Sequence, residues 1–257
     1  MMQNKEAKNK VEFKSDQHGQ HDHPFNFWRG CHKFSEGCQN CYMYIAQTRR
    51  GINPSEVMLC TTTWKEPPRW QREVERTGKP QSVFACSYGD FFIEDADPWR
   101  DDAWKLIKET PNLTWELQSK RTHLIKDRLP ADWDQGYPNV WIGTAVELKK
   151  YFHRLDELRD IPCVLRYVDL APMLEDLMPE LEDHIDGFGW IIVSGETGCN
   201  SVEPRPFDEQ WARNVRDMCL SREIPFFFSH TRGYERFPSE YLDRRKHKEV
   251  PPLTTKL

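Results

Sequence analysis

The sequence predicts an α/β fold in which a mainly parallel sheet curls into a closed or partly open (β/α)6-type barrel. Three observations carry that prediction. Short apolar runs rich in β-branched or aromatic residues alternate with amphipathic stretches, the pattern of βαβ units. Six or seven such units fit between two polar chain ends. Polar residues recur where the apolar runs stop: Tyr88-Gly89-Asp90, Ser119-Lys120-Arg121, Thr144 to Glu147, Asp169, Gly195-Glu196-Thr197 and Ser229-His230. In (β/α) barrels the C-terminal strand ends share one mouth, where active sites lie. Six polar strand ends suit a ring around a common cavity. The crevice of a doubly wound sheet, the competing architecture, needs only two or three.

Taken in order, residues 1–24 are Lys, Gln, Asn, His and Asp with almost nothing to bury, and read as a disordered tail. Its histidines, His18, His21 and His23, read as part of a solvated tail, with opportunistic metal binding as the alternative. Residues 25–235 form the barrel domain. Within it, Val57–Trp64 and Ser82–Asp90 read as strands. Trp99–Glu109 places Trp99, Ala103, Leu106 and Ile107 at helical spacing. Leu113–Arg121 and Val140–Glu147 are strands. Leu148–Asp160 is a helix with Leu148, Tyr151, Phe152, Leu155 and Leu158 on one face. Cys163–Ala171, Trp190–Gly198 and Ile224–His230 complete the strands, with a helix over 206–221 before the last. Residues 236–257, basic and proline-containing, read as a tail or surface strap.

With 38% hydrophobic and 30% charged residues, the composition is that of a globular enzyme rather than a disordered chain. A net charge of −5 argues against tight non-specific nucleic-acid binding by the whole surface, while leaving room for a local basic groove. No apolar run approaches the roughly 18–20 residues that span a bilayer, and the N-terminus lacks the apolar core of a signal peptide. The expected location is the cytoplasm, with no membrane partner. The eight cysteines then read as ligands or buried thiols before disulfides.

Three of them, Cys31, Cys38 and Cys41, lie within "GCHKFSEGCQNCY" at the spacing Cys-x6-Cys-x2-Cys. A Cys-x2-Cys pair suits zinc, iron–sulfur or a redox couple. A structural zinc site is usually closed by four ligands, and no second Cys-x2-Cys exists here. His32 is an awkward fourth donor, being adjacent to Cys31. Cys60, Cys86, Cys163, Cys199 and Cys219 are scattered singly and read as small buried residues. Three ligands without an evident fourth suit an open 4Fe-4S cluster, as in radical S-adenosylmethionine enzymes. Zinc and other uses remain open on spacing alone, because that superfamily commonly has Cys-x3-Cys-x2-Cys with an aromatic residue before the last cysteine. This chain has Asn40 there and Tyr42 after it.

"FWRGCHKFSEGCQNCYMY", "SYGDFF", "LQSKR", "VWIGTAVE", "WIIVSGETG" and "PFFFSH" together resemble a phage-type three-cysteine family of unknown function, also found in bacteria. Its members look like compact radical S-adenosylmethionine enzymes. The resemblance covers about Phe25 to Gly233. The chain keeps Gly30, Cys31, Ser35, Gly37, Cys38, Cys41 and Tyr42, then Lys120-Arg121, Gly143-Thr144, Val146-Glu147, Gly195-Glu196 and Gly198. It departs at Asp169-Leu170-Ala171-Pro172-Met173, where the family has Ser-x-Glu-Pro-Leu, and at Ser229-His230, where it has Lys-Gln. The resemblance implies a partial barrel of the radical S-adenosylmethionine kind, a 4Fe-4S cluster on Cys31, Cys38 and Cys41, S-adenosylmethionine, and an external one-electron reductant. It also implies a nucleotide or DNA-base substrate in the cytoplasm of a bacterial host, rearranged or cleaved after hydrogen abstraction. The departures lie at strand ends and imply a retained cofactor end with an altered substrate end. The alternatives are a non-catalytic zinc module and a non-radical S-adenosylmethionine-dependent enzyme acting on nucleic acid.

Candidate roles follow. Asp90 is the acceptor for the methionine amino group, with Gly89 allowing close approach, or else caps the next segment. Lys120 is the inward cation for a carboxylate or phosphate, and its neighbour Arg121 defaults to the surface because strand side chains alternate. Glu147 takes ribose hydroxyls or an amine, or serves as the first-turn acid of the next helix. Gly195, Glu196 and Thr197 contact adenine or ribose, or form a tight turn. Asp169, His230, Tyr88 and Arg166 are substrate-side candidates. Trp28, Trp64, Trp115, Trp141 and Trp190 read as core rather than as stacking platforms. Arg49, Arg50, Arg69, Arg72 and Arg76 are a candidate phosphate rim or a solvated charged face.

Overall fold

The computed structural model describes residues 19–197, 202–231 and 240–253. Its elements in chain order are β1 (His23–Phe25), β2 (Trp28–Arg29), α1 (Tyr42–Arg49), β3 (Met58–Leu59), α2 (Glu66–Thr77), β4 (Gln81–Ala85), α3 (Asp97–Glu109) and β5 (Leu113–Gln118). They continue with α4 (Thr122–Ile125), β6 (Val140–Ala145), α5 (His153–Arg159), β7 (Leu165–Leu170), β8 (Trp190–Val193), α6 (Glu209–Ser221) and β9 (Phe226–Phe228). Seven strands form one sheet in the order β1-β4-β5-β6-β7-β8-β9, and every pairing is parallel. β1 and β9 are its two edges, so the barrel is incomplete, as the resemblance implies. β2 and β3 form a separate antiparallel pair.

Alternation along the strands sorts side chains onto two faces. Trp115, Leu117, Val140, Ile142, Val168, Leu170, Ile191 and Val193 join the core under the helices. Trp141, Tyr167, Trp190, Ile192 and Phe227 form a second cluster on the inner face. Trp28, Trp115, Trp141 and Trp190 are fully buried, and Trp64 is packed against the core.

Two expectations are corrected. Val57–Trp64 contributes no strand to the seven-stranded sheet: only Met58 and Leu59 are extended, exposed and paired with β2, and a 3-10 turn follows at Thr63–Lys65. The first sheet strand is instead β1, inside the stretch read as tail. Its order has a physical cause. Asp22 accepts from the Ser82 amide at 2.7 Å, and His23 stacks on Trp70 at 4.0 Å. His18 and the residues before it lie outside the described residues. At the other end, residues 240–253 lie along β9 as a strap. Phe228 N donates to His247 O at 2.8 Å, and Trp190 Nε1 donates to Glu249 O at 2.9 Å. No helix among the described residues is long and apolar enough to cross a membrane.

Candidate functional site

The chain from Gly30 to Cys41 loops over the C-terminal strand ends and carries the three cysteines. A 3-10 turn spans Glu36–Cys38, and α1 starts directly behind Cys41. All three thiols line one cleft of about 680 Å³. Two cations reach them: Arg121 Nη1 lies 3.7 Å from Cys31 Sγ, and Lys120 Nζ lies 3.8 Å from Cys38 Sγ. Burial, with Asp90 adding to it, pushes the Cys31 thiol up to about 12. Burial also raises Cys41 against the amides of Tyr44 and Met43. At Cys38 burial is outweighed by Lys120 and by backbone hydrogen bonds at Phe34 and Ser35, so its net shift is downward.

Lys120 points inward as expected. Arg121 does too, contrary to the surface position that alternation assigns it. β5 ends at Gln118 and the chain bends at Lys120, so strand alternation no longer applies at Arg121. Arg121 is buried, with Nη1 3.0 Å from Asp90 Oδ2 and Nη2 donating to His32 O at 2.8 Å.

The three strand-end carboxylates hold the cysteine loop. Asp90 accepts from Phe92 N at 2.9 Å, from Ser119 Oγ at 2.8 Å and from Arg121, the capping arrangement. Glu147, expected at a ligand, is absent from the cleft wall and fully buried beneath the loop. Lys120 Nζ donates to it at 2.6 Å and Arg154 Nη1 at 2.8 Å, and the Ser35 hydroxyl donates as well. A Cβ on Gly37 would collide with this carboxylate, so glycine is required for the loop to sit so low. Burial raises the Glu147 carboxyl, and Lys120 with Arg154 outweighs it, leaving it below its usual range. Glu196 is buried and paired with Arg205, and it accepts from Asn40 Nδ2 at 2.9 Å, inside the Cys-x2-Cys gap. Gly195 packs against the Thr231 carbonyl, leaving no room for a Cβ.

Tyr88, Gly89, Gly195 and Thr197 line the cleft, as do Asp169 and His230. His230 is buried with Nδ1 2.9 Å from Ser229 Oγ. Burial pushes the Asp169 carboxyl up to about 6. Arg166 faces the other side of β7 and donates to Leu158 O at 3.1 Å and to Ile161 O at 2.5 Å, away from the cleft. Arg50 lines the cleft, whereas Arg69, Arg72 and Arg76 are exposed along α2 as a charged face. Sequence reasoning missed Arg154, Arg205, Asn40 and Gln118. Arg154 sits in a charged helix and looked solvated. For Gln118 a signal existed: Glu116 and Gln118 put polar groups at every second position of an otherwise apolar strand.

Among the described residues, no three His, Cys, Asp or Glu side chains are grouped to hold a single metal ion. His32, the one nearby candidate for a fourth ligand, turns to Asp95 at 2.9 Å. A 4Fe-4S cluster binds each thiolate to a different iron, and its negative charge is offset by adjacent cations. Three cysteines lining one cleft, with Lys120 and Arg121 at two sulfurs, fit that group. Cys86 and Cys219 are buried and Cys60 and Cys163 half-buried, apart from this cleft for all but Cys86, while Cys199 lies outside the described residues.

Residues 17–250 match the model of a family described as proteins of unknown function, DUF5131. No curated protein matches the sequence. Among solved structures, the fold is similar to that of a cysteine-to-alanine mutant of spore photoproduct lyase with dinucleoside spore photoproduct. The TM-score is 0.57 at 11% identity, covering 87% of this chain and 80% of that one.

Proposed function

The chain belongs to that family, and we propose that it is a radical S-adenosylmethionine enzyme holding a 4Fe-4S cluster on Cys31, Cys38 and Cys41. The observation that carries this reading is the set of three thiols on one loop at the C-terminal mouth of a parallel half-barrel. All three open into the same cleft, and cations stand at two of the sulfurs. When bound and reduced by an external one-electron donor, the cluster with S-adenosylmethionine supplies a 5′-deoxyadenosyl radical that removes hydrogen from an unactivated C–H bond.

The chain's own residues position and enclose. Asp90, Glu147 and Glu196, with their cations, fix the height and tilt of the cysteine loop. Gly89, Gly195 and Thr197 line the cleft and are the candidates for cofactor contact, with Lys120 as the cation at the loop. Asp169, His230 and Tyr88 face the substrate. A nucleotide or DNA base is the proposed substrate class, and an isomerase or lyase outcome the proposed reaction. The dinucleoside carried by the structurally similar lyase supports a nucleoside-sized occupant of this fold.

Anaerobic purification and reconstitution test the reading. We expect a brown protein with about four irons and four sulfides per chain and broad absorbance near ~400 nm that bleaches with dithionite. It should release 5′-deoxyadenosine from S-adenosylmethionine, and Cys41→Ala should abolish that release. A colourless protein with one zinc, or one that leaves S-adenosylmethionine intact after reduction, overturns it.

A further inference from the structure

Beneath the thiols, the inner face of the sheet carries polar groups that the cofactor reading does not use. Gln118 and Glu116 share one face of β5, and Asp169 and Tyr167 share one face of β7. Gln118 Nε2 donates to Asp169 Oδ2 at 3.3 Å, which turns its Oε1 away. Gln118 Oε1, Asp169 Oδ1 and the Tyr167 hydroxyl are all buried without a hydrogen-bond partner. Tyr167 is fully buried, and the charges of Glu116 and Asp169 act on it. Leaving such groups unpaired costs about 1–3 kcal/mol each, so this inner face favours an occupant that pairs them.

We propose that the floor of the cleft is a subsite for a primary ammonium group of the substrate, held by Asp169 and Gln118, which both line the cleft. This deepens the preceding section and rests on its reading of the cleft as the substrate site. Two of the vacant valences are those of acceptors, a carboxylate oxygen and an amide oxygen, and the third is a hydroxyl that both accepts and donates. An ammonium group offers three donors and a positive charge. The neighbouring cations are committed elsewhere, Lys120 to Glu147 and Arg121 to Asp90, and the His21 imidazole stands 2.7 Å from Glu116. One open carboxylate oxygen is too little for a divalent cation, which takes six or more oxygen ligands. An anionic or purely hydroxylic substrate group would leave the Asp169 charge unmatched.

The test uses cluster-reconstituted protein and matched pairs of probes: methylammonium and methanol, putrescine and 1,4-butanediol, 5-aminomethyl- and 5-hydroxymethyl-2′-deoxyuridine. Binding is read by ligand-observed NMR. At least one amine should bind roughly ten- to a hundredfold tighter than its hydroxyl partner. Asp169→Asn, which keeps the side-chain shape, should erase that preference, and Gln118→Ala should reduce it. The proposal is overturned if no amine is preferred, or if the preference survives Asp169→Asn in protein that unfolds as cooperatively as the wild type. Release of 5′-deoxyadenosine by the wild-type preparation separates the two readings. Release without amine preference removes the subsite alone, and amine preference without release removes the radical chemistry alone.

Discussion

Glu147 sits where Lys120 and Arg154 meet, and Arg154 is itself 0% exposed. Glu147→Ala leaves that guanidinium buried without its counter-charge, at a cost of about 3–5 kcal/mol. For a chain of this size the cost corresponds to a Tm lower by roughly 6–20 °C in calorimetry. An unchanged Tm would show that the pair contributes nothing. The folded carboxyl lies below its usual range, so this stabilisation is present at neutral pH and lost on acidification through the folded value. Asp169 has the opposite sign. Its folded pKa is raised to about 6, so the folded state binds the extra proton between the unfolded value and that point, and stability falls as pH rises through the window. Asp169→Asn should therefore stabilise the ligand-free protein at pH 7.5, by up to about 3 kcal/mol, with the gain vanishing near pH 4. A gain independent of pH contradicts the buried charge. The sequence made both carboxylates visible as strand-end groups. It did not disclose their roles, because Arg154 and Gln118 come from other elements and nothing local pairs them.

At the scale of elements, the strap over 240–253 covers an edge. Its backbone pairs with β9, Lys248 Nζ stands 4.4 Å from the Phe227 ring centre, and Glu249 O caps the Trp190 indole. Removing residues 240–257 opens the β9 edge and the inner aromatic cluster to water, a template for association. The truncated chain should bind ANS and elute as aggregates in size-exclusion chromatography, and a monomer with native near-UV circular dichroism would contradict this. Strands β6, β8 and β9 were the most legible because burial on both faces makes them near-continuous apolar runs. β1 was not, since His23-Pro24-Phe25 is short and two-thirds polar or ring-constrained, and its order comes from Trp70 and Ser82 far along the chain. Val57–Trp64 misled in the opposite direction, being apolar in composition yet exposed at Met58 and Leu59.

Across the whole molecule, the cysteine loop is held by ion pairs and hydrogen bonds that involve no metal. Fold and cluster should therefore separate. The variant Cys31→Ala, Cys38→Ala, Cys41→Ala should unfold cooperatively within about 5 °C of cluster-free wild type, since half-buried thiols contribute little packing. A molten far-UV-only spectrum would show instead that the cluster organises the barrel. The parallel half-barrel was legible from the ring of polar strand ends. The shared mounting of its loop was not, because it emerges only when distant strand ends are brought to one rim.

That mounting divides the rim. The carboxylates beneath the loop follow β4, β6 and β8, whereas the acceptors of the floor lie on β5 and β7 and His230 follows β9. Only β5 serves both, since Gln118 is followed by the loop cations Lys120 and Arg121. A descendant of this chain can exchange floor residues and change what it accepts, while the legs that hold its cysteines stay untouched.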